Sequence, residues 1–129
     1  MIVLRIISKL GQYKHLKTQE KLLNSNLSYY INLSDRLHDS NFKVHIENIV
    51  SNLSILLRRC QREIEQIDIL LDSLTEENRF IVKNRYIEGY SWAVIEIKYN
   101  MQFERFGICK NTVINRCKKN LRNLENCYT

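Results

Sequence analysis

Eight residues near the C-terminus have the types and the spacing to read a nucleic acid. Lys110, Asn111 and Thr112 come first, Asn115 and Arg116 follow, and Lys118, Lys119 and Arg122 close the group. An Asn side chain offers a paired donor and acceptor to adenine, and an Arg offers a fork of donors to guanine. Each such pairing discriminates by roughly 1–3 kcal/mol. Lys118, Lys119 and Arg122 suit phosphates, which position a protein without specifying sequence. Between them, Val113, Cys117, Leu121 and Leu124 recur at steps of four, four and three, which predicts a helix. Packed on its apolar stripe, that helix presents the eight residues outward. Its N-terminal end carries the positive end of the helix dipole and is the end that enters a major groove. A plain solvated helix face has the same composition and is the competing reading.

The elements that would position this helix are legible in the bulk properties. The chain has 129 residues, no Pro and only three Gly, at 11, 89 and 107. So few breakers favour helix throughout, and a strand-rich fold would need more turn residues. The expected fold class is all-α. The net charge is +6 and is uneven. From Lys110 onward five Lys/Arg stand against one Glu, whereas residues 75–109 balance five against five. The basic pole therefore coincides with the helix just described, which favours a polyanionic partner.

Taken in order, residues 1–10 are apolar with Arg5 and Lys9, and the pattern fits a helical turn, a strand or an arm equally. From Gln12 to about Leu27 the apolar residues return every three or four, which predicts a helix. The Ser/Asn-rich stretches at 25–26 and 32–35 predict an end or bend, with a second short helix through Tyr29, Tyr30, Leu33 and Leu37. Asp39, Ser40 and Asn41 form an N-cap cluster. The longest periodic run follows over about 42–73. Ile46, Ile49, Leu53, Leu56, Cys60, Ile64, Ile67, Leu71 and Leu74 form a near-heptad stripe. A helix of about thirty residues is about 45 Å long and needs cover. Either the preceding helix folds back on it, as a helical hairpin, or a second copy of the chain joins it in a coiled coil, as a homodimer. Residues 1–74 then form an interaction or oligomerisation part, and residues 75–129 a helix-turn-helix part.

In the second part, Ser73 with Glu76 fits a capping box and Thr75 is the alternative cap for a helix from Glu76 to about Ile87. Gly89 occupies the place of a left-handed residue after it, and Ser91 caps the next helix. The last helix starts near Cys109 or Lys110. The run from Leu74 to Ile95, LTEENRFIVKNRYIEGYSWAVI, resembles region 4 of the bacterial sigma-70-type factors. The turn Gly107-Ile108-Cys109 followed by Thr112-Val113 resembles the entry to their recognition helix. A long helix ahead of such a segment, in a short basic chain, is similar to phage late-operon regulators of the ArpU and RinA type. The resemblance covers about fifty C-terminal residues. It implies a cytoplasmic, nucleoid-associated transcription regulator in a bacterial host. Its expected partners are double-stranded DNA and RNA polymerase, and its expected effect is activation of phage-type late genes. One departure stands out: Ile95 and Gly107 are twelve apart, seven more than in the sigma-like pattern. Residues 100–106 thus predict a lengthened helix or a helix with a short loop.

Other classes find less support. The four Cys, at 60, 109, 117 and 127, show no C-x-x-C spacing, and the three His lie apart from most of them, so neither metal nor cofactor is expected. The N-terminal apolar run is broken by Arg5, which argues against a signal peptide or a membrane span. No phosphate-binding glycine loop and no Ser/His/Asp pattern occurs, so an enzyme is not expected. Arg79, Lys83 and Arg85 suit phosphate, a polymerase subunit or plain surface charge equally. Trp92 is expected in the small core. The alternative function is a helical adaptor that binds polymerase or a sigma factor without reading DNA.

Overall fold

A computed structural model describes residues 3–103 and 108–128, the side chains of 3, 4, 127 and 128 excepted. Every regular element among the described residues is helical, so the fold is all-α. The elements are α1 (Val3–Gly11), α2 (Tyr13–Arg36), α3 (Ser40–Asp72), α4 (Glu76–Val82), a π-helical turn (Lys83–Ile87), α5 (Trp92–Gln102) and α6 (Lys110–Tyr128). None of these helices is long and apolar enough to cross a membrane.

Side-chain caps set the starts. Asp39 Oδ1 accepts from the amides of Asn41 at 2.9 Å and Phe42 at 3.3 Å, which opens α3. Thr75 Oγ1 accepts from Asn78 N at 3.3 Å, so Thr75 caps α4. Ser73 is not that cap, because its hydroxyl donates to Leu70 O at 2.6 Å and closes the end of α3. Ser91 Oγ accepts from Val94 N at 3.3 Å and opens α5. Gly89 has φ of 78°, the left-handed conformation expected of it.

Two expectations change. The end or bend expected near Ser25–Asn26 is absent, and α2 runs unbroken to Arg36, so that the helix ends directly after the Asn32–Asp35 stretch, the second place where an end or bend was expected. Leu23, Leu27, Tyr30 and Ser34 continue one covered row at helical spacing, and that packing outweighs the local competition from Ser and Asn. The helix expected from Glu76 to Ile87 stays α-helical only to Val82. Asn84 Nδ2 donates at 2.7 Å to Phe80 O, the carbonyl its own amide would take in a continuing α-helix. The turn widens, and Glu88 N reaches Lys83 O, five residues back, at 2.9 Å.

The chain gathers into two compact units, one made of the residues up to Tyr13 with those from Gln66 onward, the other of Lys14–Glu65. The divisions fall inside α2 and α3, whereas sequence alone suggested residue 74. In the first unit α1 lies against α6 and the π-helical turn, while α4, α5 and α6 pack on one another. Ile6 and Leu10 of α1 are 1% exposed, so the N-terminal apolar run is core. Ile67, Ile81, Ile95 and Cys117 are fully buried. Each such aliphatic side chain contributes about 1.5–3 kcal/mol by leaving water. Lys9 Nζ donates to Gln66 Oε1 at 3.0 Å, and Tyr13 Oη donates to Asp68 Oδ1 at 2.7 Å.

In the second unit the start of α2 lies beside the later part of α3. Cys60 Sγ donates to Leu16 O at 3.2 Å. Burial first, then the charges of Glu20 and Glu63, raise the Cys60 thiol above its ordinary range. The near-heptad stripe splits along its length. Ile46, Cys60 and Ile64 are buried, Ile49 and Leu53 are half-covered, and Leu56 is 46% exposed.

Candidate nucleic-acid interface

The interface is built on α6, and α6 is held by α4, α5 and α1. Val113, Cys117, Leu121 and Leu124 are buried at 0–1% exposure, as the four-four-three spacing requires. Asn120 and Glu125 are buried with them, so the covered stripe is wider than the apolar residues alone predict. The opposite face carries Asn111, Asn115, Lys118, Lys119 and Arg122, all exposed. Lys110 and Thr112 are exposed in the first turn, which holds no acidic residue. Seven of the eight residues thus stand open to solvent on one helix.

Arg116 is the exception. It is half-buried, its Nη1 donates to the Tyr99 hydroxyl at 2.5 Å, and its guanidinium stands 5.8 Å from the centre of the Tyr99 ring. Tyr99 itself is 1% exposed. It lies on α5, four residues after Ile95 and just ahead of residues 100–106, the stretch expected to lengthen the helix. α5 continues to Gln102, and Phe103 N bonds Tyr99 O at 3.1 Å. The Phe103 ring packs edge-to-face with Phe80 at 5.3 Å and at a tilt against Tyr99 at 5.2 Å. Asn100 Nδ2 donates to Glu96 O at 2.9 Å and to Ile108 O at 3.2 Å, tying α5 to the residues that lead into α6. Residues 104–107, and with them the Gly107 turn and Phe106, lie outside the described residues.

A groove of about 620 Å³ runs between the start of α4 and the outer side of α6. Thr75, Glu77 and Asn78 line one wall, and Thr112, Asn115, Arg116 and Lys119 line the other with Asn120 and Asn123. It gathers four of the eight sequence-derived residues. Lys110, Asn111, Lys118 and Arg122 lie outside it on the same helix. The lining is amide, hydroxyl and cation with one carboxylate. Such a surface can donate to phosphate oxygens and can offer paired donors and acceptors to base edges.

No known protein family, curated protein or solved structure matches this chain.

Three cations weighed for a similar role divide. Arg79 donates through Nε to Leu71 O and through Nη2 to Leu74 O, both at 3.1 Å, which ties α4 to the end of α3 and the turn after it. Arg85 donates to Tyr90 O at 3.2 Å and stacks 4.8 Å over the Trp92 ring, which is half-buried. Lys83 is exposed. Sequence reasoning missed Tyr99, Asn78, Asn120 and Asn123. Asn120 and Asn123 sit four and seven residues after Arg116 in the same polar run, but the α4 wall has no local signal, since it is joined to α6 only by the fold.

At the entrance to α6, Cys109 Sγ and Thr112 Oγ1 are 3.2 Å apart. The Thr112 hydroxyl bond, with backbone amides of the first turn, lowers the exposed Cys109 thiol below its ordinary value.

Proposed function

We propose that the chain is a sequence-specific transcription regulator that binds double-stranded DNA through α6, with α5 and α6 as a sigma region 4-like helix-turn-helix. One observation carries the reading: α6 turns seven of the eight candidate residues outward while its apolar row is buried. A solvated surface helix would ordinarily mix both charge signs, whereas among the described residues the exposed face of α6 has cations, amides and the Thr112 hydroxyl but no carboxylate. Under this reading Lys110, Asn111, Thr112 and Asn115 meet base edges, with Arg116 beside them. Lys118, Lys119 and Arg122 meet phosphates. The effect proposed is activation of phage-type late genes, in the bacterial cytoplasm on the nucleoid. RNA polymerase and a second copy of the chain are the protein partners.

The test is fluorescence polarisation on the regions upstream of genes in its own genome, comparing Asn115→Ala and Lys119→Ala with the parent. A tight complex with one such region, weakened by both changes, supports the reading. Binding to none of them overturns it.

A second reading has its own observation. On α5, Val94, Ile97 and Met101 form an outward apolar row at 38%, 60% and 75% exposure. Apolar side chains suit a protein surface better than phosphates, which favours an adaptor that binds polymerase or a sigma factor. Salt separates the two. Association through several phosphate contacts falls steeply with salt, and docking on an apolar row does not.

A further inference from the structure

The second unit leaves a long apolar face uncovered. On α3, Phe42, Ile49 and Leu56 follow one another at seven-residue spacing, and Phe42 and Leu56 are 63% and 46% exposed. On α2, Leu22 and Tyr29 repeat the same spacing at 59% and 62% exposure. The two rows meet at an open groove of about 340 Å³ lined by Leu16, Leu22, Leu23 and Leu56. The unit has little core of its own. Its buried apolar residues are Leu16, Ile46, Leu57, Cys60 and Ile64. Two helices with so few buried side chains bury less apolar surface than a unit of this size ordinarily does.

We infer that this face is the self-association surface of the chain, and that its occupant is a second copy presenting the same face. Three features select a second copy. The first is the repeat. Seven-residue spacing on both helices is the pattern of helices that pack side by side in a bundle, and two copies complete four helices. The second is area. A face as long as α2 and two helices wide measures about 35 Å by about 20 Å. That is close to the roughly 800 Å² per partner of a stable complex. The third is charge. Arg59 and Glu63 flank the groove, and neither has an ion-pair partner among the described residues. Across a two-fold axis the same surface meets itself, so Arg59 of one copy stands against Glu63 of the other. Elsewhere the +6 chain repels its copy, while this edge is neutral and self-complementary.

The surface takes in both α2 and α3, which sharpens a dimer through the long helix alone. It stands independently of DNA binding, because it is read without DNA. The experiment is sedimentation equilibrium on the full chain, with circular dichroism as the check on folding. The parent is expected to sediment at twice 15.5 kDa. Leu22→Glu and Leu56→Glu change exposed positions and should keep full helicity while sedimenting as monomers. Arg59→Glu alone sets like charges together and should weaken the dimer about tenfold. Adding Glu63→Arg to it should restore parental affinity, which a merely weakened fold would not allow. A monomeric parent overturns the inference. So does a dimer that survives both Leu changes, or a charge swap that fails to restore what Arg59→Glu loses.

Discussion

Arg116 on α6 donates to the hydroxyl of Tyr99 on α5 at 2.5 Å, with its cationic group 5.8 Å from the ring centre. The bond joins the two helices of the proposed helix-turn-helix and turns a proposed reader of bases into a strut as well. The two roles can be separated. Arg116→Ala removes both and should cost about 1–2 kcal/mol of stability along with DNA affinity. Tyr99→Phe keeps the ring and removes the acceptor, and should cost about 1 kcal/mol. If Arg116 reads a base, Tyr99→Phe leaves DNA affinity at the parental level. Equal losses of affinity in the two variants would make Arg116 a positioning residue only. Urea titration and polarisation on the same samples distinguish the cases.

Lys118 and Arg122 lie on the outer face of α6, away from the groove beside α4. As phosphate contacts they should each contribute one released counterion. Lys118→Ala and Arg122→Ala should then flatten the plot of log affinity against log salt by about 0.9 each, with the same loss on every DNA sequence. Asn115→Ala should instead leave the slope unchanged and lower the preference for the best site by roughly 1–3 kcal/mol. A salt series on specific and scrambled duplexes measures both. Loss of preference on Lys118→Ala would refute the division of roles.

α1 is part of the core that carries the interface. Ile6 and Leu10 are buried, and Arg5 lies 3.6 Å from Glu125, a carboxylate buried at 1% exposure on α6. Ile6→Ala and Leu10→Ala should each destabilise the fold by about 2–5 kcal/mol, measured by urea unfolding. Arg5 is itself 59% exposed, so Arg5→Ala should cost less, about 1 kcal/mol. Unchanged unfolding midpoints in both core variants would show α1 to be dispensable.

This docking explains how much of the fold could be read in advance. The long period of α3, the buried row of α6, and the caps at Asp39, Thr75 and Ser91 are local, because a helix repeats every 3.6 residues and a cap needs three neighbours. The outward face of α6 is the complement of its buried row and was legible for the same reason. The conformation of α1 was not, since nine residues with one apolar side fit helix and strand alike until α6 is there to receive them. Nor was the continuity of α2 across its Ser and Asn residues, where packing overrides propensity. At the π-helical turn the Asn84 side chain bonds the Phe80 carbonyl, a contact that no repeat in the sequence announces. The α4 wall of the groove and the Tyr99 contact come from chain segments 17 or more residues from Arg116, a separation no local pattern spans.

Gly89 holds φ of 78°, and a Cβ built on it would meet nothing within 4 Å. The site is therefore roomy but left-handed. Gly89→Ala should destabilise by about 1–2 kcal/mol through backbone strain alone. Gly89→Asn should recover part of that loss, because Asn tolerates the left-handed region. Thermal unfolding of the two variants decides it. Equal stability of the Ala variant and the parent would mean that the turn after the π-helical segment relaxes to another conformation.

Cys109 and Cys117 stand eight residues apart on or beside one helix, and their thiols are shifted in opposite directions. Cys109 is exposed and lowered by the Thr112 hydroxyl, whereas burial pushes Cys117 up to about 12. Reactivity follows the thiolate, so at neutral pH iodoacetamide should modify Cys109 faster than free cysteine and leave Cys117 untouched until the protein unfolds. Peptide mass spectrometry over time resolves the two. The raised value also sets a pH dependence. The folded chain keeps the Cys117 proton, while the unfolded chain releases it near the ordinary 9.0. Stability from this group is therefore complete below pH 9.0 and is lost as pH rises towards about 12. Tyr86, also raised by burial and next by Cys117, adds to the same alkaline loss. Urea midpoints should fall on the alkaline side of pH 9, and Cys117→Ala should make that fall shallower. Tyr86→Phe, carried through the same series, isolates the tyrosine share. An alkaline fall that is identical in the parent and in Cys117→Ala would show that the Cys117 thiol does not govern it.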